Sequence, residues 1–176
     1  MAKVVTGKAR LGYVNIFEAR ASQEGGDAKY SLSVLIPKTD TATIDAINKA
    51  VQTTIDEAKA SKFGGKIAGL KMPLRDGDTE KDDEAYSGHM FFNASAKQKP
   101  VIVDINGNLI LDSREVYSGC FGRVSVNFFA YNSNGSKGVA AGLNAIQKTA
   151  DGESLGGSYT ENEAANDFGL AGDDML

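Results

Sequence analysis

At 176 residues, 41% hydrophobic and 24% charged, with 20 Gly and 3 Pro, the chain has the make-up of one domain, or one domain with an appendage, and fits neither wholesale disorder nor a collagen-like repeat. No apolar run reaches the ~18 residues that cross a bilayer, the opening Met-Ala-Lys-Val-Val lacks a secretory pattern, and one cysteine, Cys120, excludes a disulfide framework or a multi-cysteine zinc site, so a reducing cytoplasm is the expected home. The net charge of −4 is uneven: residues 1–150 hold all 19 Lys and Arg against 16 acids, a balance of +3, whereas the last 26 residues carry seven acids and no base, an asymmetry associated with nucleic-acid contact and interaction tails.

Val4 to Phe17 is rich in strand formers, with Gly7 and Gly12 as bend or bulge positions, and Ser22 to Asp27 reads as a loop. Lys29 to Ile36 alternates, with Tyr30, Leu32, Val34 and Ile36 on one face and Ser31 and Ser33 on the other, until Pro37 ends it. That pattern predicts a strand buried on one side. From Thr41 to Lys62 the period changes: Ile44, Ile47, Val51, Ile55 and Ala58 share one helical face, Thr39, Asp40 and Thr41 are candidate N-caps, and Gly64-Gly65 is the stop. Residues 70–88 are polar and turn-rich, which predicts a long loop. Gly88 to Ala96 alternates again, Val101 to Leu111 forms a hairpin around Asn106-Gly107, and Tyr117 to Tyr131 is the longest strand signal. A last strand lies around Gly138 to Ile146. Five or six strands with one helix after the second suit a mainly β, OB-fold-like antiparallel barrel, since a parallel α/β sheet needs repeated crossover helices. Residues 1–150 form that domain, and the acidic, Gly-rich residues 151–176 are expected to be a flexible, disordered tail.

The signature motifs of nucleotide-binding loops, nucleophile elbows and zinc proteases are absent. Asp76, Asp78, Glu80 and Asp82 alternate as in a calcium loop, but Lys81 stands where the sharp-turn glycine belongs, so a solvated acidic loop competes with a metal site. Cys120 and His89 are open to reading as a nucleophile and base, or as a buried thiol and a surface imidazole. The remaining constellation is aromatic and basic, the combination that stacks unpaired bases and tracks phosphates. Strand alternation puts Val124, Val126 and Phe128 inside and Arg123, Asn127, Phe129 and Tyr131 outside. It likewise puts Met90 and Phe92 inside and Phe91 and Asn93 outside, beside Lys97-Gln98-Lys99. Outward rings either meet a ligand or pack beneath the helix or the 70–88 loop. Lys8 and Arg10, alternating with Ala9 and Leu11, are either a solvated face or phosphate contacts.

Six stretches taken together resemble a known family: Lys29-Tyr-Ser-Leu-Ser-Val-Leu-Ile-Pro-Lys-Thr39, Met72-Pro-Leu-Arg-Asp-Gly-Asp78, Phe92-Asn-Ala-Ser-Ala-Lys-Gln-Lys-Pro100, Tyr117-Ser-Gly-Cys-Phe-Gly-Arg-Val-Ser-Val-Asn-Phe128, Lys137-Gly-Val-Ala-Ala-Gly-Leu-Asn144 and Gln147-Lys-Thr-Ala-Asp-Gly-Glu-Ser-Leu-Gly156. Their order and coverage of nearly the whole body are similar to small phage-encoded single-stranded-DNA-binding proteins. The resemblance implies an OB-fold, sequence-tolerant ssDNA binding, and a role in phage DNA replication or recombination in the host cytoplasm. It implies no enzyme activity and no cofactor or metal. The C-terminus resembles the acidic tip of bacterial ssDNA-binding proteins, in Asp167-Phe168 and Asp173-Asp174-Met175-Leu176, but lacks the terminal Pro-Phe. Such a tip implies competition with DNA and recruitment of replication and recombination proteins, the apolar end entering a partner's pocket while acids meet a basic rim.

Strand alternation and these motif positions give the expected contacts. Phosphates fall to Lys8, Arg10, Arg75, Lys97, Lys99, Arg123 and Lys137, and bases to some of Phe91, Tyr117, Phe121, Phe129 and Tyr131. A homodimer stays open. So do two rival readings: a metal-dependent nuclease or hydrolase using Asp76, Asp78 and Asp82, and a structural phage protein whose aromatics form a subunit interface.

Overall fold

The computed structural model describes residues 2–21, 27–133, 135–155 and 167–169. Among these, eight strands share one sheet: β1 (Ala2–Val5), β2 (Ala9–Arg20), β3 (Lys29–Pro37), β4 (Arg75–Asp76), β5 (His89–Ala96), β6 (Val101–Val103), β7 (Phe121–Ser133) and β8 (Ser136–Ala150). The order β7-β2-β3-β5-β8 closes on itself because β8 also pairs with β7, giving a five-stranded ring. β1 continues the line of β2 along β7, β6 borders β8, and β4 borders β5. The mainly β, OB-fold-like barrel with one long helix is therefore present. Its ring is not wholly antiparallel, for β5 and β8 run parallel through Ala94↔Ala141 and Ser95↔Gly142, as do β6 and β8. A parallel pair needs a long connection, which the β6 hairpin and β7 supply.

Alternation explains the interior. Leu11, Leu32, Val34, Ile36, Phe92, Ala94, Val124, Val126, Phe128, Leu143 and Ile146 are buried in one cluster, and Phe92 meets Phe128 with ring centroids 5.9 Å apart. Helix α1 (Thr41–Ala58) adds Ile47, Ala50, Val51 and Ile55 to the same cluster, so the helix completes the barrel core instead of building its own. Its N-cap is Asp40, whose carboxylate accepts the Thr43 N–H at 3.2 Å. Cys120 is buried in this core, and burial pushes its thiol pKa up, which leaves a packed, poorly nucleophilic sulfur. His89 stands apart from it in role, at the start of β5 with Nδ1 2.7 Å from the Ser87 carbonyl.

Several boundaries differ from expectation for identifiable reasons. The first segment is two strands, β1 and β2, because the chain bends at residues 6–8, where Gly7 N–H donates to the Thr43 hydroxyl of α1. β3 is buried on both faces from Leu32 to Ile36, not on one. Residues 70–88 are not a bare loop. They contain β4, a single helical turn α2 (Gly77–Glu80) and a 3-10 turn at Glu84–Tyr86; the sequence hid the two turns because each relies on an aspartate cap, Asp76 or Asp83, in place of periodicity. The hairpin at 101–111 is present: Ile110 N–H donates to the Ile102 carbonyl and Gly107 N–H to that of Asp104. β7 starts at Phe121 and β8 extends to Ala150. No helix among the described residues is long and apolar enough to cross a membrane.

Candidate nucleic-acid interface

The outer face of β2, β3 and β5 is paved with small groups. Register places Gly12, Ser33 and Asn93 in one row and Asn15, Ser31 and Ser95 in the next. In a third row Arg10, Leu35, Phe91 and Arg75 lie side by side. Here the sequence reading needs correction: Phe91 points outward as expected, yet is 0% exposed. The Glu84–Tyr86 turn folds over it, burying Tyr86 edge-to-face on Phe91 with centroids 5.0 Å apart and Leu35 beside them. Tyr86 then donates its hydroxyl to Ser33 Oγ at 3.2 Å, and burial raises its pKa. Phe91 is packing beneath this face and is not a ring that a base could reach.

A different ring takes the exposed place. Ala9 and Leu11 point inward, so strict alternation would bury Tyr13 as well, but β2 slips register against β3 between Gly12 and Asn15. Tyr13 has φ of 44°, the left-handed region that a bulky residue rarely enters. This irregularity turns Tyr13 out to 63% exposure and lets Ile16 resume the inward series. Beside it lies a groove of about 500 Å³, walled by Tyr13, Tyr86, Tyr117 and Leu155 and bordered by Arg20 and Asp83. A second hollow of about 300 Å³ continues along β2 past Phe17. Lys81 Nζ lies 5.6 Å from the Tyr13 ring and 5.3 Å from Tyr86, and Lys99 Nζ lies 5.3 Å from Phe17. Rings and cations thus alternate along the groove, although Tyr13, Phe17, Arg20 and Lys81 were missed in the sequence. The signal available was an aromatic after Gly12 in a strand already marked for a bulge.

The chain after β8 does not leave the body at once. Residues 151–155 lie as a strap over β2 and the 117–119 segment. Arg10 donates to the Glu153 carbonyl at 2.7 Å and to the Gly119 carbonyl at 3.3 Å, and Leu155 N–H donates to the Ser118 carbonyl at 2.9 Å. The Tyr117 hydroxyl accepts the Gly152 N–H at 3.1 Å and lies 3.0 Å from the Asp151 carboxylate. The backbones meet at two glycines: a Cβ on Gly119 would collide with the Glu153 carbonyl, and one on Gly152 with the Gly119 carbonyl. Lys148 approaches Asp151 at 2.6 Å. That hydrogen bond, then the Tyr117 contact, hold the Asp151 carboxyl below its ordinary pKa. The expected boundary at Ala150 therefore falls too early, because the body extends at least to Leu155.

The expected contact residues are spread around the barrel. Tyr117 lines the groove while anchoring the strap, and Arg10 is committed to the strap. Phe121 is next to them, with Lys8 Nζ 4.8 Å from its ring. Lys97 and Lys99 are exposed just past β5, Lys97 3.6 Å from Asp27. Arg75 pairs with Glu80 at 2.8 Å and lies over the Phe91 ring. Arg123, Phe129 and Tyr131 face outward from β7, across the ring from β3. There Arg123 donates to the Thr6 carbonyl at 3.0 Å, Phe129 is 37% exposed, and Lys137 donates to the Lys66 carbonyl at 3.0 Å. The geometry does not bring these four to the groove. Asp76 and Asp78 hold the Lys38 ammonium between them at 2.8 and 2.6 Å, and no cluster of three or more metal-ligating side chains occurs among the described residues. In the tail, Phe168 is 76% exposed beside Asp167, and Asp173, Asp174, Met175 and Leu176 lie outside the described residues.

Comparison with known proteins gives a concordant result. Residues 2–176 match the model of a family described as Enterobacter phage Enc34, ssDNA-binding protein. Protein p50 of Acyrthosiphon pisum secondary endosymbiont phage 1 is 32% identical over 182 residues, covering 99% of this chain and 98% of that one. Among solved structures, the single-stranded DNA-binding protein of bacteriophage Enc34 in complex with ssDNA superposes with a TM-score of 0.79 at 22% identity, over 88% of this chain and 90% of that one. Gp2.5, the single-stranded DNA binding protein encoded by bacteriophage T7, gives 0.63 at 16% identity, over 91% and 98%.

Proposed function

Since the chain belongs to the family of the Enterobacter phage Enc34 ssDNA-binding protein, we propose that it coats single-stranded DNA in the host cytoplasm during phage replication and recombination, by binding and not by catalysis. The observation that carries this reading to a place on the molecule is the groove along β2, where aromatic walls and flanking cations provide for bases and phosphates at once. The strand would run over the outer face of β2, β3 and β5, from Lys8 and Phe121 past Tyr117 to Lys97 and Lys99. On this path Arg75, Arg123, Phe129, Tyr131 and Lys137 are not first contacts. Phe129 and Val5 share the outer face of the β1–β7 pair, and a second copy docking there would account for their exposure in a homodimer.

The acidic segment has a separate role in this proposal. Asp167, Phe168 and Asp173 to Leu176 would be read by replication and recombination proteins, and the carboxylates would compete with DNA phosphates for the basic face. The nuclease rival loses its support, because Asp76 and Asp78 both engage the Lys38 ammonium, and no group of three or more metal-ligating side chains occurs among the described residues. The deciding measurement is binding of the full-length protein to single- and double-stranded oligonucleotides at several salt concentrations. Preference for single strands is the expected result, and equal affinity for both forms would refute the reading.

A further inference from the structure

We propose that the groove on β2 is the seat of one unpaired nucleobase and that Tyr13 is its stacking platform. The inference rests on the ssDNA reading above and assigns a residue and a place to it. Three observations converge. A tyrosine held at φ 44° in mid-strand is a conformation that packing alone does not ask for, because the ring it turns outward is 63% exposed and adds little to the core. Strain of this kind persists where the surrounding structure imposes it and gathers at ligand sites. The ring so presented borders a hollow of about 500 Å³ that Tyr117 and Leu155 also line, flat and apolar surfaces suited to a base, with the buried Tyr86 behind them and Asn15, Asp83 and Ser118 as polar neighbours. Charge completes the arrangement: Lys81 Nζ stands 5.6 Å from the Tyr13 ring and Arg20 lies at the border, both placed for phosphates on either side of a seated base.

The neighbouring surface agrees with a strand entering here. Asn15, Ser31 and Ser95 form a half-buried row of small polar side chains from β2 to β5 beside the groove, whereas Gly12 and Ser33 lie buried under Tyr86. The strap sets the far limit, because Leu155 is fixed by its N–H to Ser118 and walls that end. The seat therefore has a stacking ring in Tyr13, a second aromatic wall in Tyr117, an apolar end in Leu155 and flanking cations.

The protein contains no tryptophan, so Tyr13→Trp introduces a single reporter at the seat. Addition of an oligothymidylate at low salt should quench its fluorescence strongly, and an Ile105→Trp reporter on the remote 101–111 hairpin should respond little. Tyr13→Ala should weaken oligothymidylate binding roughly five- to 150-fold, the range a lost base stack gives, without changing the salt dependence. Tyr13→Phe should restore binding. Tyr13→Gly separates stacking from structure: glycine accepts the positive φ, so the melting temperature should hold or rise while affinity falls. Should the oligonucleotide bind normally to Tyr13→Ala and leave the indole at position 13 unquenched, the seat is wrong and ssDNA binding stands. Should the wild-type protein bind no oligonucleotide at low salt, the ssDNA reading falls and the seat with it.

Discussion

Phe91 and Tyr13 are mirror images at the level of single residues. Each is an aromatic in a strand, and in each the alternation of the sequence gives the wrong environment. Phe91 was legible as outward, with cover by the 70–88 segment left open beside ligand contact, because the covering ring, Tyr86, comes from a turn without periodicity. Tyr13 was hidden because one slip in register reverses the face of a side chain. Phe91→Ala should accordingly destabilise the protein by about 3–5 kcal/mol, the cost of emptying a buried phenylalanine site. Urea unfolding would register it, and the folded protein should keep its affinity for ssDNA. An ordinary stability with lost binding would place the ring at the surface after all. A second residue-scale test concerns Lys38. Its hydrogen bonds hold the carboxyls of Asp76 and Asp78 below the usual value of 3.8, and raise its own pKa from 10.5. The carboxylates' contribution is therefore present above the ordinary carboxylate range and lost as pH falls through their lowered pKa values. The ammonium's contribution is lost only as pH rises through its raised one. Carboxyl resonances followed by NMR should titrate below 3.8 for both aspartates and move up toward that value in Lys38→Met. No upward movement would mean that the triad does not form.

Elements with a strong period were readable, and those built on caps or close approach were not. The helical face of α1 and the alternation of β3, β5 and β7 follow directly from the sequence, and the Asn106-Gly107 turn announced its hairpin. The strap at 151–155 gave no such signal, since its composition is that of an acidic linker and its fixation depends on two glycines 33 positions apart, Gly119 and Gly152, meeting backbone to backbone. This makes a clear prediction. Gly152→Ala puts a methyl group against the Gly119 carbonyl and Phe121, neither of which can move far, so the strap should lift while the barrel stays folded. Hydrogen exchange at the Leu155 amide, now bonded to Ser118, should accelerate roughly five- to tenfold if its hydrogen bond, worth about 1–1.5 kcal/mol, is lost. Protection at Val126 and Ile146 in the ring should not change. Unaltered exchange at Leu155 would show that the strap tolerates the methyl group.

For the whole molecule, charge separates along the chain while its fold stays in one piece. If phosphate contacts supply most of the affinity, log K should fall linearly with log salt, with a slope of about −0.7 per phosphate neutralised on a single strand. Truncation belongs after Leu155 and not after Ala150, where it would remove the partners of Arg10 and Tyr117. The shorter chain loses Glu161, Glu163, Asp167, Asp173 and Asp174 and keeps every base. It should bind DNA more tightly at low salt and discriminate less between single strands and duplex, with the difference shrinking near 0.1 M, where charges are screened beyond about 10 Å. Weaker binding by the truncated protein at low salt would show that those acids are not competitors. Fold class was legible at this scale because strand count and the lone long helix left few architectures. The location of the interface was not, since residues on β2 and β7 have similar patterns, and only the pairing, which joins the two strands at Ala9–Arg10 and Phe121–Gly122 alone, decides which outward residues share a surface.

That closure gives the order of synthesis a structural meaning. Among the described residues β8 is the last strand made, and it alone of these strands joins β5 and β6 on one side to β7 on the other. A nascent chain that has reached Ser133 has its first seven strands but leaves edges of β5 and β7 without their partner, and such open edges invite pairing with other chains. The barrel can be completed only when residues 136–150 emerge, and the strap locks over β2 a moment later. A ribosome stalled before that point would hold a sticky, unfinished sheet, whereas one that has passed it releases a sealed ring.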